Sequence, residues 1–277
     1  MSLSPEDVLR DFENRARKFT TPCGDGEMVW RRWGAGSPVL LLHGGSGSWK
    51  HWVKNIDALA ARHEVWVPDL PGTGESAMPP MPTSFRAFAD IVAAGIERLS
   101  PGAVYDIAGF SFGSVVAHHV AAQYPERVRR IVLINGHMIG PFLAQPRTIL
   151  TRWRDVTDPA EFASIMRGNL KALMMSDDSK IDDLAIHLYA MDLRRSRIRP
   201  GSLLGERDHQ LVAKIRTPTL VIAGDRDPVG HPSVAAQARE FLDARPDGRV
   251  EILENIGHWA MYEAPERVNE LLLEAFA

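Results

Sequence analysis

Residues 104–123 read VYDIAGFSFGSVVAHHVAAQ, and this stretch decides the fold. Val104 to Ala108 is a short apolar run of the kind a buried strand needs, and residues 112–123 are small and apolar enough for a closely packed helix. Between them stand Gly109, Ser111 and Gly113. A serine squeezed into a sharp strand-to-helix turn has a strained backbone, and small residues two positions to either side relieve the crowding. Its hydroxyl then stands proud of the sheet. The helix behind it offers free backbone N–H groups and a positive dipole end.

The strand–helix alternation continues outward. Upstream, residues 5–20 carry Val8, Leu9, Phe12, Ala16 and Phe19 at roughly helical spacing. Met28 to Trp33 and Val39 to Leu42 read as strands, 49–61 as a helix, Glu64 to Pro68 as a strand and 84–99 as a helix. Downstream, Val128 to Ile134, Thr219 to Ala223 and Val250 to Leu253 read as strands. Helices follow at 232–243 and around Val268, Leu271, Leu272 and Phe276. Parallel neighbours need a crossover, and a helix supplies it. The expected class is α/β: an open, mostly parallel β-sheet flanked by helices on both faces. From about His137 to Asp208 no strand is legible, while 159–174 and 181–195 look helical. So long a stretch is not structureless in a compact protein. The expectation is a helical cap (lid) insertion, 137–208, set into a core formed by 1–136 and 209–277.

Composition narrows the function. The chain has 277 residues, 45% hydrophobic and 24% charged, with 32 basic and 35 acidic side chains and a formal net charge of -3. That balance fits a globular chain rather than a disordered one. No basic block grips a phosphate backbone, so no nucleic-acid partner is expected. No run approaches the ~18 apolar residues of a membrane helix, so no membrane partner is expected either. Met1 to Arg10 contains Glu6 and Asp7 and no apolar signal core; with Cys23 the single cysteine, a cytoplasmic chain without disulfides is expected. The glycine runs at 44–47 and 72–74 complete neither Gly-x-Gly-x-x-Gly nor a P-loop, so no nucleotide cofactor is expected. No paired-ligand spacing points to a metal.

A serine hydroxyl is a weak nucleophile that needs a base, and the base needs an orienting partner. His258, after strand 250–253, and Asp227, after strand 219–223, are the candidates; Asp225 lies in the same loop and propensity does not separate the two carboxylates. All fall at carboxyl ends of parallel strands, where open α/β sheets place ligands. Five elements together resemble the α/β-hydrolase family: His43-Gly44-Gly45, Asp69-x-Pro71-Gly72-x-Gly74-x-Ser76, Gly109-x-Ser111-x-Gly113, Gly224-x-x-Asp227 and Gly257-His258. The resemblance spans nearly the whole chain outside the insertion. It implies Ser111 as nucleophile, His258 as general base and then acid, and Asp227, favoured over Asp225 by the family spacing, as the group orienting the imidazole. The backbone N–H of Phe112 and of Gly45, with Ser46 as second choice, would form the oxyanion hole. His43, His118 and His119 read as packing or loop-shaping residues.

The details bear on the substrate, a small molecule in every version. A serine at 111 argues against branches with an aspartate nucleophile. The segment around Gly257-His258-Trp259 and the loop from His43 are similar to meta-cleavage-product hydrolases, which split carbon–carbon bonds. Those enzymes usually place Asn before the nucleophile, where this chain has Phe110, and use a lid arginine to hold a carboxylate. Arg194, Arg195, Arg197 and Arg199 read mainly as a solvated face, with Arg195 the candidate for that role. Gly44, Phe110, Trp259, Phe142 and Arg195 are the candidate pocket residues. The preferred expectation is a serine hydrolase of a small, largely apolar carboxylic ester, working through an acyl-enzyme. Carbon–carbon hydrolysis, a slow-turnover ligand receptor and a lyase or perhydrolase are the alternatives. A homodimer is an assembly the sequence leaves open.

Overall fold

The computed structural model describes residues 3–136, 150–198, 215–230 and 233–277. Its strands are β1 (Arg17–Cys23), β2 (Gly26–Trp33), β3 (Ser37–Leu42), β4 (His63–Pro68), β5 (Tyr105–Phe110), β6 (Val128–Ile134), β7 (Thr219–Gly224) and β8 (Arg249–Leu253). They form one 8-stranded sheet in the order β1-β2-β4-β3-β5-β6-β7-β8. The pairs β1–β2 and β2–β4 are antiparallel, and every pair from β4 through β3 to β8 is parallel.

Successive side chains of a strand point to opposite faces, and here both faces are buried. Val39, Leu41, Ala108, Phe110, Val132, Ile134 and Ile222 feed one core. The helices α1 (Pro5–Arg15), α2 (Ile56–Ala60) and α9 (Pro265–Ala275) contribute Phe12, Leu59 and Leu271 to it. Leu40, Leu42, Ile107, Ile131, Leu133 and Val221 feed the other, covered by α3 (Phe85–Leu99), α4 (Phe112–Gln123) and α7 (Val234–Ala244) through Val92, Val116 and Phe241. This two-sided burial is why the strands read as unbroken apolar runs.

Two local expectations are corrected. The helix expected over 5–20 stops at Arg15, and 17–23 is the edge strand β1. Phe19, which fits a helical period, instead lies on the Trp66 ring at 5.2 Å, and Thr21 accepts the Trp30 indole N–H at 2.8 Å. The helix expected over 49–61 is a 3₁₀ turn, Trp49–Trp52, followed by the short α2. Asn55 separates them because its amide donates to Met261 O at 3.1 Å and to Asn269 at 2.8 Å, bonds to the far end of the chain that override local helix propensity.

Between β6 and β7 lie α5 (Pro159–Leu173) and α6 (Asp183–Arg195), and no strand occurs in the described residues of that segment. Met166, Leu170 and Leu188 join the first core. The segment is fastened by Glu263 of α8 (Ala260–Glu263), which is 1% exposed. Its Oε1 accepts Ser176 N–H, Asp177 N–H and the Ser176 hydroxyl at 2.7–2.9 Å, and its Oε2 accepts Gly257 N–H at 2.7 Å. Phe142 lies outside the described residues.

Two stability predictions come from these buried groups. Glu263→Gln turns an amide NH₂ toward N–H donors and leaves at least one of them unpaired, so urea unfolding is expected to show a loss of about 1–3 kcal/mol. His118, buried in α4, is pushed down to about 3 from its ordinary 6.5 by burial, with His119 and Arg245 adding to the effect. The folded chain therefore keeps it neutral while the unfolded chain takes up a proton below pH 6.5. Its contribution to stability is full above that pH and is lost as pH falls toward 3, at up to about 1.4 kcal/mol per pH unit. The thermal midpoint should drop between pH 7 and pH 5, and His118→Leu should flatten the drop; an unchanged slope assigns the acid sensitivity elsewhere.

Candidate active site

Ser111 sits at the junction of β5 and α4 with φ 50° and ψ −111°, a conformation that a side chain rarely adopts. The turn is held from both sides. Ser111 N–H donates to Ile134 O at 2.9 Å, Ser114 N–H returns to Ser111 O at 3.0 Å, and the Ser114 hydroxyl donates to Gly109 O at 2.6 Å. The flanking glycines are demanded by contact. A Cβ on Gly109 would lie 2.5 Å from Gly113 O, and one on Gly113 would lie 2.3 Å from Leu42 O. The helix thus packs directly on the backbone of β3, and its first N–H groups open beside the serine.

The side chains expected to converge do so. His258 Nε2 lies 3.0 Å from Ser111 Oγ, and His258 Nδ1 lies 2.8 Å from Asp227 Oδ2. An ionised carboxylate only accepts, so Nδ1 carries the ring proton and Nε2 is free to accept from the serine hydroxyl. Burial works against a charge on Asp227, but His258, the Asn135 amide and the Val229 N–H outweigh it and hold the carboxyl below its ordinary value. The Asn135 amide donates to Asp227 Oδ2 at 2.9 Å, and Val229 N–H donates to Oδ1 at 2.8 Å. Asp225 is exposed, its N–H paired with Leu253 O at 3.0 Å, and Asp227 is the one of the two carboxylates placed at His258.

Asn135 was not among the residues singled out from the sequence. It follows β6 at φ 45°, pinned by its N–H to Ile222 O at 2.9 Å. The signal was an Asn-Gly pair at the carboxyl end of a parallel strand, where Asn tolerates a left-handed backbone.

The loop after β3 approaches from the other side. A Cβ on Gly44 would lie 2.7 Å from the Phe110 ring and 3.4 Å from Ser111 Cβ, so Gly44 borders the serine. Gly45 is exposed, and Ser46 has φ 56°. His43 is fully buried beneath them. Leu70 N–H donates to its Nε2 at 2.8 Å, which places its proton on Nδ1, 2.8 Å from Gly44 O. The Asp69–Ser76 stretch is a second support. Asp69 accepts Trp49 N–H at 2.9 Å, Glu75 N–H at 3.0 Å and the Arg31 guanidinium at 3.2 Å, and a Cβ on Gly74 would meet its carboxyl at 2.4 Å.

The remaining candidates divide. The Phe110 ring packs at 5.0 Å from the His258 ring, and Trp259 lies 5.1 Å from the His51 ring. Arg195 is not brought to the serine by any bond: it lies 4.0 Å from Glu75, while Arg197 donates to Ser76 O and Arg194 covers the Phe162 ring. Among the described residues no group of three or more His, Cys, Asp or Glu side chains is arranged to hold a metal ion, and no helix is long and apolar enough to cross a membrane.

Residues 39–271 match the model of the alpha/beta hydrolase family. The chain is 29% identical to the dihydrolipoyllysine-residue acetyltransferase component of an acetoin cleaving system from Pseudomonas putida, over 86% of this chain and 63% of that protein. It therefore spans less than two thirds of that relative. It is 27% identical to a 2-hydroxy-6-oxononadienedioate/2-hydroxy-6-oxononatrienedioate hydrolase from Burkholderia vietnamiensis, over 97% of this chain and 98% of that one. The crystal structure of a carboxylesterase from Bacillus subtilis shares the fold, with a TM-score of 0.77 at 20% identity over 99% of this chain and 95% of that one. With the match running from β3 into α9 and the sheet order and strand-end loops in agreement with it, the chain belongs to the alpha/beta hydrolase family.

Proposed function

We propose that this hydrolase cleaves a small, largely apolar carboxylic ester through an acyl-enzyme on Ser111. The observation that carries the reading is the unbroken line from Ser111 Oγ to His258 Nε2 at 3.0 Å and from His258 Nδ1 to Asp227 at 2.8 Å. As Ser111 Oγ attacks the ester carbonyl, its proton passes to His258 Nε2, and Asp227 favours the imidazolium that forms. The carbonyl oxygen becomes an oxyanion, for which the N–H groups of Phe112 and Gly45, with Ser46 as the further donor, are the assigned partners. The proton then goes to the leaving alcohol, and water activated by the same imidazole releases the acid. The segment 137–208 is assigned as the lid over this site.

The ester reading is favoured by Phe110, an apolar ring against His258 where carbon–carbon hydrolases of this family usually carry Asn, and by the engagement of Arg194, Arg195 and Arg197 elsewhere. The full-length similarity to the Burkholderia vietnamiensis hydrolase favours a second reading, cleavage of a carbon–carbon bond in a dienoate.

A fluorophosphonate probe should label the wild type and leave Ser111→Ala unlabelled; equal labelling would sink the serine mechanism. In a panel of 4-nitrophenyl esters run beside a 2-hydroxy-6-oxo-dienoate, the short esters should turn over faster, whereas selective cleavage of the dienoate would install the second reading. Asp227→Asn should lower kcat about 10⁴-fold by turning the imidazole to the wrong tautomer. Asn135→Ala removes one charge-assisted bond from that carboxylate, and a roughly tenfold fall in kcat with little change in KM is expected.

A further inference from the structure

Beneath the Gly44–Ser48 loop lies a buried polar cluster that the proposed chemistry does not use. Lys50 Nζ is 2.9 Å from Asp192 Oδ1, with the two side chains 5% and 2% exposed. Ser48, wholly buried, donates to the same oxygen at 2.8 Å and receives Lys50 Nζ at 2.6 Å. Ser48 comes from the loop after β3 and Lys50 from the 3₁₀ turn that follows it, whereas Asp192 comes from α6 in the insertion. A buried ion pair is weak evidence for stability, since well-packed apolar residues commonly do as well; what it supplies is a defined geometry.

The second oxygen, Asp192 Oδ2, is buried without a hydrogen-bond partner, and His51 Nε2 faces it from 3.9 Å. The other ring nitrogen of His51, Nδ1, accepts the Gly44 N–H at 3.2 Å. A nitrogen that accepts carries no proton, so the neutral ring must be protonated on Nε2, the side toward Asp192. Burial, together with the neighbouring His43, Lys50 and His258, holds the imidazole well below its ordinary value and keeps it neutral. The ring is also boxed in: a Cβ on Gly47 would lie 2.2 Å from its Cε1, Phe110 stands edge-on at 5.3 Å, and the Trp259 indole donates to His51 O at 3.1 Å. With Gly44 N–H drawn down to His51, the next amides, Gly45 and Ser46, are the ones left to face an oxyanion.

Resting on the serine-hydrolase reading, we infer that His51 is a positioning residue that sets the oxyanion loop through Gly44 N–H, and that Asp192 of the insertion fixes which ring nitrogen does so. The seating of α6 is thereby coupled to transition-state stabilisation. Loss of one oxyanion donor lowers kcat about 10²–10³-fold, and a misaimed loop acts in the same direction on kcat rather than on KM.

The test uses the full chain and 4-nitrophenyl butyrate. In His51→Asn the amide oxygen falls near the position of Nδ1 and can accept Gly44 N–H; in His51→Gln the amide falls near Nε2 and leaves that N–H unpaired. The expected kcat ranks wild type, then His51→Asn, then His51→Gln, with at least a tenfold gap between the two variants and KM within about threefold. Asp192→Asn should also lower kcat, and by less in the His51→Asn background, where no ring tautomer remains to be fixed. Equal losses in the two His51 variants, or losses carried by KM, overturn the inference. Ser111→Ala in the same assay separates the two levels: retained turnover ends the serine reading itself, while abolished turnover with indistinguishable His51 variants ends only the positioning role.

Discussion

A serine held at φ 50° is the constraint on which the rest of the structure depends. Nothing in residue 111 favours that backbone; the surroundings impose it. Ile134 O captures its N–H from the neighbouring strand, Ser114 closes the turn from the helix side, and the two glycines let helix and strand approach to backbone contact. Strand order follows from the same demand. With β3 and β6 flanking β5, the loop carrying Gly44 and the turn carrying Asn135 rise on opposite sides of the serine. The N–H groups at the start of α4 come into place at no further conformational cost, because the turn that exposes the hydroxyl also opens the helix.

The site is assembled almost wholly from carboxyl ends of parallel strands, and each strand end carries its own lock. β7 delivers Asp227 in a turn closed by its N–H to Gly224 O at 3.2 Å. β8 delivers His258 on a segment whose Gly257 N–H is held by Glu263. Asn135 then ties β6 to that carboxylate. Three separate pieces of chain thus meet at one imidazole, and a fourth, through Asn135, holds its carboxylate, so each must be kept in place. Rigid elements rather than long loops are suited to that demand, which is the physical reason the chemistry sits at strand ends.

How much of this was readable depended on whether the signal was local. The turn at Gly109–Gly113, the alternation of strands and helices, and the candidates Ser111, His258 and an aspartate at 225 or 227 follow from short-range periodicity and position at strand ends, and the preference for Asp227 comes from the family resemblance. β1 was missed because Phe19 meets a helical period as well as a strand one, and an edge strand with Lys18 and Thr20 outward lacks the apolar run of a central strand. The break at Asn55 depends on partners more than two hundred residues away in the chain, at Met261 and Asn269. That Asp192 and Lys50 bury together is a tertiary fact with no local trace in the sequence. The Asp69–Ser76 motif was legible as a motif but not as what it does, which is to anchor Trp49, Glu75 and Arg31 around one carboxylate.

The two histidines beside the glycine loop complete this picture, because they carry opposite tautomers for reasons that can be traced. Leu70 N–H donates to His43 Nε2, so His43 presents its own proton to Gly44 O; Gly44 N–H donates to His51 Nδ1, so His51 presents its proton toward Asp192. Both sides of the Gly44 residue are therefore gripped, and every donor in the series points the same way, from Leu70 through His43 and Gly44 to the His51 ring. A cation in place of either neutral ring would break one link: a proton on His43 Nε2 would face Leu70 N–H, and a proton on His51 Nδ1 would face Gly44 N–H. Burial is what forbids that cation, for His43 as for His51. The apolar packing of Phe110 and Trp259 around the His51 ring thus does more than fill space. By excluding water it keeps the ring uncharged, and an uncharged ring leaves Nδ1 free to accept the Gly44 N–H.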